Sequence, residues 1–245
     1  MESYYAFLTS KKRGMSMKKY DVFLFDADGT LFDYDVAEDY ALKKIFASFL
    51  FEYSENIHMK YREINSQLWE LYEKNEVTQA ELQTLRFKRL FDYAGIVSDE
   101  KLFNEQYLYE LGKGTFLIPG AAEICKAVVL KGKRIYIVTN GILATQQTRI
   151  EQSSINGYIS GFFVSEPIGF QKPHLSYFEY VFANIPAIDK EKTLIIGDSL
   201  SADIAGGNNA SIDSCWLNIA HKKNDTDIKP TYEIFGLSEL YNFID

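Results

Sequence analysis

Asp26 and Asp28 stand two residues apart in the run Asp26-Ala27-Asp28-Gly29-Thr30, directly after the apolar stretch Val22–Phe25. In an extended chain alternate side chains share a face, so both carboxylates point to one side of a segment leaving a buried strand. Gly29 lets the backbone turn sharply toward a ligand at that point. Two anionic groups held so close repel unless a cation sits between them or one keeps a proton. A divalent metal beside a carboxylate nucleophile answers that repulsion. An ordinary strand-to-turn junction is the plainer alternative, because Asp, Gly and Thr are common turn residues.

Three further signals follow in order. Thr139-Asn140-Gly141 comes after the apolar run 134–138, and Lys172-Pro173 follows the loop 166–171, where it is expected to open a helix. Gly197-Asp198-Ser199-Leu200-Ser201-Ala202-Asp203 comes directly after the run 193–196. In an open parallel sheet, ligands bind outside the carboxyl ends of the strands. Asp26, Thr139 and Asp198 are therefore expected along one edge of a sheet despite their separation in sequence. Read singly, Lys172 fits a solvated lysine with Pro173 at the first position of a helix. Asp203 fits a helix-start carboxylate favoured by the macrodipole.

The elements that must position these groups alternate in texture. Residues 22–25, 134–138, 162–164, 193–196 and 214–217 are short, apolar and mostly β-branched or aromatic, as buried parallel strands are. Helical patterns separate the later ones, over 121–130, 143–152, 175–183 and 202–208. This predicts an α/β fold with a doubly wound parallel sheet. Between Asp33 and Gly114 the chain becomes long, amphipathic and free of proline. Thr78-Gln79-Ala80-Glu81 is a capping-box pattern opening a helix with Leu82, Leu85, Phe87 and Leu90. Some four helices are expected here, forming an inserted all-helical domain over 33–114, with a core from 17–32 and 115–245 and a tail over 1–16. Its connections, 31–34 and the glycine-bearing 112–120, suit either a lid or a passive decoration.

Length and composition set the outer limits. A chain of 245 residues with 47% hydrophobic content has room for a large core. Cys125 and Cys215 are too few for a disulfide framework and lack metal-ligand spacing, so a cytoplasmic location is expected. No apolar run reaches the length of a membrane span. A net charge of −8 disfavours a nucleic-acid polymer as partner, while leaving a small phosphorylated metabolite open. His58, His174 and His221 show no ligand spacing. Trp69, Tyr72 and Phe87 are read as packing or as stacking surfaces for a ring, and Arg86 and Arg89 as solvated helix charges, with contact to a substrate the alternative.

The four motifs together resemble those of the haloacid dehalogenase superfamily, in particular its phosphatase branch. A helical insert directly after the first motif resembles subfamily I. The resemblance implies Asp26 as nucleophile and Asp28 as general acid and base; the retained second acid favours phosphoryl over dehalogenase chemistry. It implies Thr139, Asn140 and Lys172 as phosphate-binding groups. Mg²⁺ is the implied cofactor, held by a carboxylate oxygen of Asp26, the backbone carbonyl of Asp28 and the side chain of Asp198. Asp203 either supports that ion from behind or holds Lys172. Residues 25–32, 137–141 with Gln147 and Arg149, 166–173 and 193–218 are similar to bacterial house-cleaning pyrimidine 5′-nucleotidases, with Pro167 a departure. The expected reaction is hydrolysis of a pyrimidine nucleoside monophosphate through an aspartyl-phosphate. A broader sugar-phosphate or phosphoglycolate phosphatase is the alternative.

Overall fold

The computed structural model describes residues 18–244, so the expected tail lies outside the described residues. Six strands form one parallel sheet: β1 (Val22–Phe25), β2 (Arg134–Thr139), β3 (Gly161–Val164), β4 (Thr193–Gly197), β5 (Asp213–Leu217) and β6 (Tyr232–Ile234). Their spatial order is β3-β2-β1-β4-β5-β6. The strand carrying Asp26 is thus central, with Phe25 opposite Ile137 on one side and Ile196 on the other. β6 was not expected from the sequence. It has three residues, pairs only with β5, and lacks the continuous apolar run that marks an interior strand.

β1 is buried at every position because helices cover both faces of the sheet. Phe23 and Phe25 pack with Ile124 and Val128 of α5 (Ala121–Leu130) on one face. Val22 and Leu24 pack with Tyr177, Phe178 and Val181 of α8 (Leu175–Asn184) on the other. Full burial of each such side chain contributes about 2 kcal/mol. The remaining core helices are α6 (Leu143–Gln152), the single turn α7 (Ser165–Ile168), and α9 (Ala205–Ala210), which continues a π turn over Leu200–Ile204.

Two local expectations are corrected here. Residues 166–171 hold a helical turn as well as loop, since Gly169 N–H closes on Ser165 O at 3.0 Å. Lys172-Pro173 does not open the next helix. It lies in a turn closed by His174 N–H on Gln171 O at 2.8 Å, and α8 begins at Leu175.

Four helices fill the insert: α1 (Tyr34–Ser48), α2 (Glu55–Glu73), α3 (Gln79–Ala94) and α4 (Glu100–Gly112). Asp33, Ser54, Thr78 and Asp99 accept the first free N–H groups of the four, and Thr78 with Glu81 completes the capping box. They enclose an aromatic centre in which Phe103 meets Phe87 at 4.9 Å, Phe91 at 5.0 Å and Phe46 at 5.4 Å between ring centroids. Phe87 and Tyr72 therefore pack. Arg89 is exposed as expected, but Arg86 is buried, correcting the solvated reading. It lies one turn from Leu82 and Leu90, so helical periodicity turns it inward. Asn104 Oδ1 accepts from its Nε at 2.9 Å.

The two linkers to the insert pair with one another. Asp33 N–H donates to Phe116 O at 2.9 Å and Ile118 N–H to Leu31 O at 3.0 Å, around an antiparallel bridge between Phe32 and Leu117.

Candidate active site

The carboxyl ends of β1, β2 and β4 open into a cavity of about 630 Å³ beneath the helical insert. Asp26, Asp28, Thr139, Asn140, Lys172, Asp198 and Asp203 all line it. One cavity thus gathers every site residue expected from the sequence.

Lys172 is the hub. Its Nζ donates to Asp26 Oδ1 at 2.6 Å, to Asp203 Oδ1 at 2.6 Å and to Val138 O at 2.8 Å. The side chain is 2% exposed, and an ammonium so buried is tolerable only when its donors are matched in this way. Burial opposes its charge, but Asp203 and Asp26 outweigh that and raise its pKa. Of the two roles expected for Asp203, the contact observed is the one with Lys172. Its second oxygen accepts Ser199 N–H at 3.1 Å.

Asp26, Asp198 and Asp203 bring one carboxylate oxygen each to within 4.8 Å of one another. Burial, then Asp203 and Asp198, push Asp26 upward against the pull of Lys172. Asp198 opens onto the cavity; burial by the cavity walls, then Asp203, pushes it up to about 7. One ammonium does not balance three carboxylates. The remaining negative charge and the all-oxygen donor set fit a hard divalent cation of the Mg²⁺ class. Gly29 supplies the room: with φ at +81°, a Cβ there would lie 2.8 Å from Asp198 Oδ2. Gly197 is constrained as closely, because a Cβ would overlap the Asp203 carboxylate. Trp216 of β5 steadies the loop by donating its indole N–H to Asp198 O at 2.9 Å.

Asn140 makes a reciprocal pair with the backbone of Lys172. Its Nδ2 donates to Lys172 O at 2.9 Å, and its Oδ1 accepts Lys172 N–H at 2.8 Å. The Asn140 side chain therefore positions the lysine. Thr139 Oγ1 accepts Gly141 N–H at 3.1 Å, tightening the turn above β2.

Asp28 stands apart from the carboxylate cluster. Gln146 Nε2 donates to its Oδ2 at 2.5 Å, and Arg149 pairs with its Oδ1. Gln146 was missed by the sequence reading, and Arg149 was noted only as part of a resemblance. Gln147, noted beside it, faces outward and bonds Glu151. The i, i+3 spacing of Gln146 and Arg149 on one helical face was the available signal. The insert's contribution to the cavity, chiefly Tyr34, Asp35, Arg62, Asn65, Trp69 and Glu73, was legible only at Trp69. Glu73 reaches across the seam to accept Ser201 Oγ–H at 2.7 Å. Glu166, beside the divergent Pro167, accepts Leu143 N–H at 2.7 Å at the start of α6. The histidines take no part in the carboxylate cluster; His174 meets Asn75 at 3.3 Å across the same seam. No helix among the described residues is long and apolar enough to cross a membrane.

Known proteins resemble this chain in sequence and fold. The chain is 40% identical over 229 residues to YfnB of Bacillus subtilis (strain 168), a protein named for the HAD-hydrolases, covering 94% of this chain and 97% of that one. A solved structure of YfnB bound to magnesium superposes with a TM-score of 0.86 at 41% identity, covering 91% of this chain and 98% of that one. The pyrimidine 5′-nucleotidase PynA of Streptococcus pneumoniae (strain ATCC BAA-255 / R6) is 36% identical, over 92% of this chain and 95% of its own. The pyrimidine 5′-nucleotidase YjjG of Escherichia coli (strain K12) is 31% identical, over 91% and 96%. The family model of haloacid dehalogenase-like hydrolases matches residues 20–211, and with these relatives it establishes that the chain belongs to that family.

Proposed function

We propose that the protein is a Mg²⁺-dependent phosphatase whose substrate is a pyrimidine nucleoside 5′-monophosphate, acting in the cytoplasm through an aspartyl-phosphate. The observation that carries this reading is the buried Asp26–Lys172–Asp203 array, with Asp198 beside it in one covered cavity. Residues 33–114 act as the cap over a core of 17–32 and 115–245. Mg²⁺ would be held by Asp26, the backbone carbonyl of Asp28 and Asp198, and when bound it offsets charge on the phosphoryl oxygens.

Asp26 attacks phosphorus and the P–O bond to the nucleoside breaks, splitting one hard displacement into two easier ones. Asp28 gives its proton to the departing 5′-oxygen. Water then attacks the phosphoryl group as Asp28 takes its proton, and Asp26 leaves as a carboxylate with inorganic phosphate. Lys172 fixes Asp26 through Oδ1 and neutralises the charge that nucleophile and phosphate share. The Thr139 hydroxyl and the backbone amide of Asn140 donate to the phosphoryl oxygens, while Gly141 N–H holds Thr139 Oγ1 in place.

The nucleotide assignment draws support from the two nucleotidases above and from the cavity, where Trp69 gives a base a ring to meet and Asn65 and Arg62 add polar edges. Its test is phosphate release, with and without Mg²⁺, from UMP, dUMP and dTMP against phosphosugars and phosphoglycolate. The highest kcat/KM is expected for a pyrimidine nucleotide. A preference for phosphosugars would replace the substrate, and release undiminished by exhaustive chelation would remove the metal.

A further inference from the structure

Arg149 is a fully buried cation on a helix that supplies none of the groups given a chemical role above. Its guanidinium touches three things. One nitrogen pairs with Asp28 Oδ1, another donates to Leu111 O at 3.3 Å, and the group lies 5.5 Å from the centre of the Phe32 ring. Leu111 is in the last turn of α4, where the cap ends, and Phe32 is in the linker where the cap begins. Gln146, one turn earlier, takes the other oxygen of Asp28. Thr145 fastens the same helix to the cap, donating from Oγ1 to Leu108 O at 3.3 Å.

Both oxygens of Asp28 are therefore held by one helix, which is fastened to the C-terminal end of the cap and lies against the linker where the cap begins. Packing alone does not require this, because burying a guanidinium is costly and an apolar side chain would fill the space more cheaply. Arg149 Nε, moreover, is buried without a partner. We infer that Arg149 and Gln146 are positioning residues that aim the Asp28 carboxyl group, and that through Arg149 this aim follows the cap linkers. The inference rests on the proposed role of Asp28 in passing a proton to the leaving oxygen.

Leaving-group dependence tests it. A nucleoside 5′-oxygen needs a proton as it departs, whereas p-nitrophenolate departs as an anion. Single-turnover release would be measured from p-nitrophenyl phosphate and from the best alkyl phosphate of the substrate screen, for wild type, Gln146→Ala, Arg149→Met and Arg149→Lys. For Arg149→Met and Gln146→Ala, the ratio of alkyl to nitrophenyl rates is expected to fall about tenfold to a hundredfold. Arg149→Lys, which keeps the cation, should recover part of the ratio. A ratio unchanged in folded variants overturns the inference, whether both rates fall together or neither falls. If Arg149→Met does not fold, Gln146→Ala decides alone. Wild type releasing nothing from either ester would instead overturn the phosphatase reading and this inference with it, so the two failures are distinct.

Discussion

Two polar clusters, one in the core and one in the cap, are built on opposite principles. In the core, Asp26, Asp198 and Asp203 crowd like charges around the single ammonium of Lys172 at the ends of strands. In the cap, opposite charges and neutral dipoles are dispersed among rings. Arg86 bonds Asn104 and lies 4.8 Å from the centre of the Tyr107 ring, while Asn65 Nδ2 donates to Tyr34 at 3.2 Å and to Glu38 at 3.4 Å. The first arrangement is unfavourable until a ligand completes it, whereas the second finds most of its partners within the cap. Charge of one sign concentrated without neutralisation marks chemistry, and charge dispersed among partners marks scaffolding.

Substitutions should separate the two. The largest effect is expected for Asp26→Asn, with phosphate release falling about a thousandfold or more. Its melting temperature should hold or rise, since a repelling charge is gone. Wild-type turnover by the purified variant would remove Asp26 as nucleophile. Lys172→Met should follow with a loss of about a hundredfold or more, and here the melting temperature should fall, because the carboxylates lose their ammonium. Steady-state kinetics and thermal melts on the same samples check both.

Arg86→Met should behave in the reverse sense. Leaving its partners unmatched in the cap interior is expected to cost about 3 kcal/mol of stability, read by urea denaturation. Turnover at temperatures where the variant is folded should change far less than for either core substitution. A loss of turnover without a loss of stability would mean that the cap cluster belongs to the site after all.

The smallest effect is one of pH. Burial pushes Asp198 up to about 7 from 3.8, and Glu38 up to about 7 from 4.5. For both, the folded state holds more protons than the unfolded state between roughly pH 4 and 7, so stability falls as pH rises through that window. The metal-free protein should lose a few degrees of melting temperature across it, and because Asp198 opens to solvent, screening makes its share the smaller. Mg²⁺ or Asp198→Asn should remove the core share, and Glu38→Gln the cap share. Calorimetry at pH 4.5 and 7.5, with and without the ion, resolves the two. Mg²⁺ abolishing the whole slope would refute the division between the clusters.

Legibility in the sequence followed the same division. Except for Lys172, each core site residue lies in a segment that directly follows a short apolar run, and a parallel sheet gathers such strand ends along one edge wherever they lie in the chain. Asp26, Thr139 and Asp198 could be placed together on that ground alone. β6 escaped because Tyr-Glu-Ile is too short and too polar to signal a strand. The cap's existence was plain from its amphipathic texture and the Thr78–Glu81 capping box. Its interior was not, because a charge on a helix reads as solvated until the buried face is known. Arg86 is the example: its spacing to Leu82 and Leu90 was visible, but its charge argued against following it inward. Gln146 escaped, and Arg149 entered only through a resemblance, for another reason, since helix α6 meets Asp28 only through tertiary packing.

The pairing of Phe32 with Leu117 also constrains how this molecule can move. Two independent strings would let the cap twist and tumble over the sheet. A paired ribbon flexes more readily across its width than it twists, so any movement of the cap would run like a door on its jamb, along a single arc. Tyr34, at the root of α1, would then travel less than Trp69 and Glu73, far along α2. Guests of different bulk would therefore be accommodated by how far the door stands ajar, with the phosphate end always meeting the same threshold.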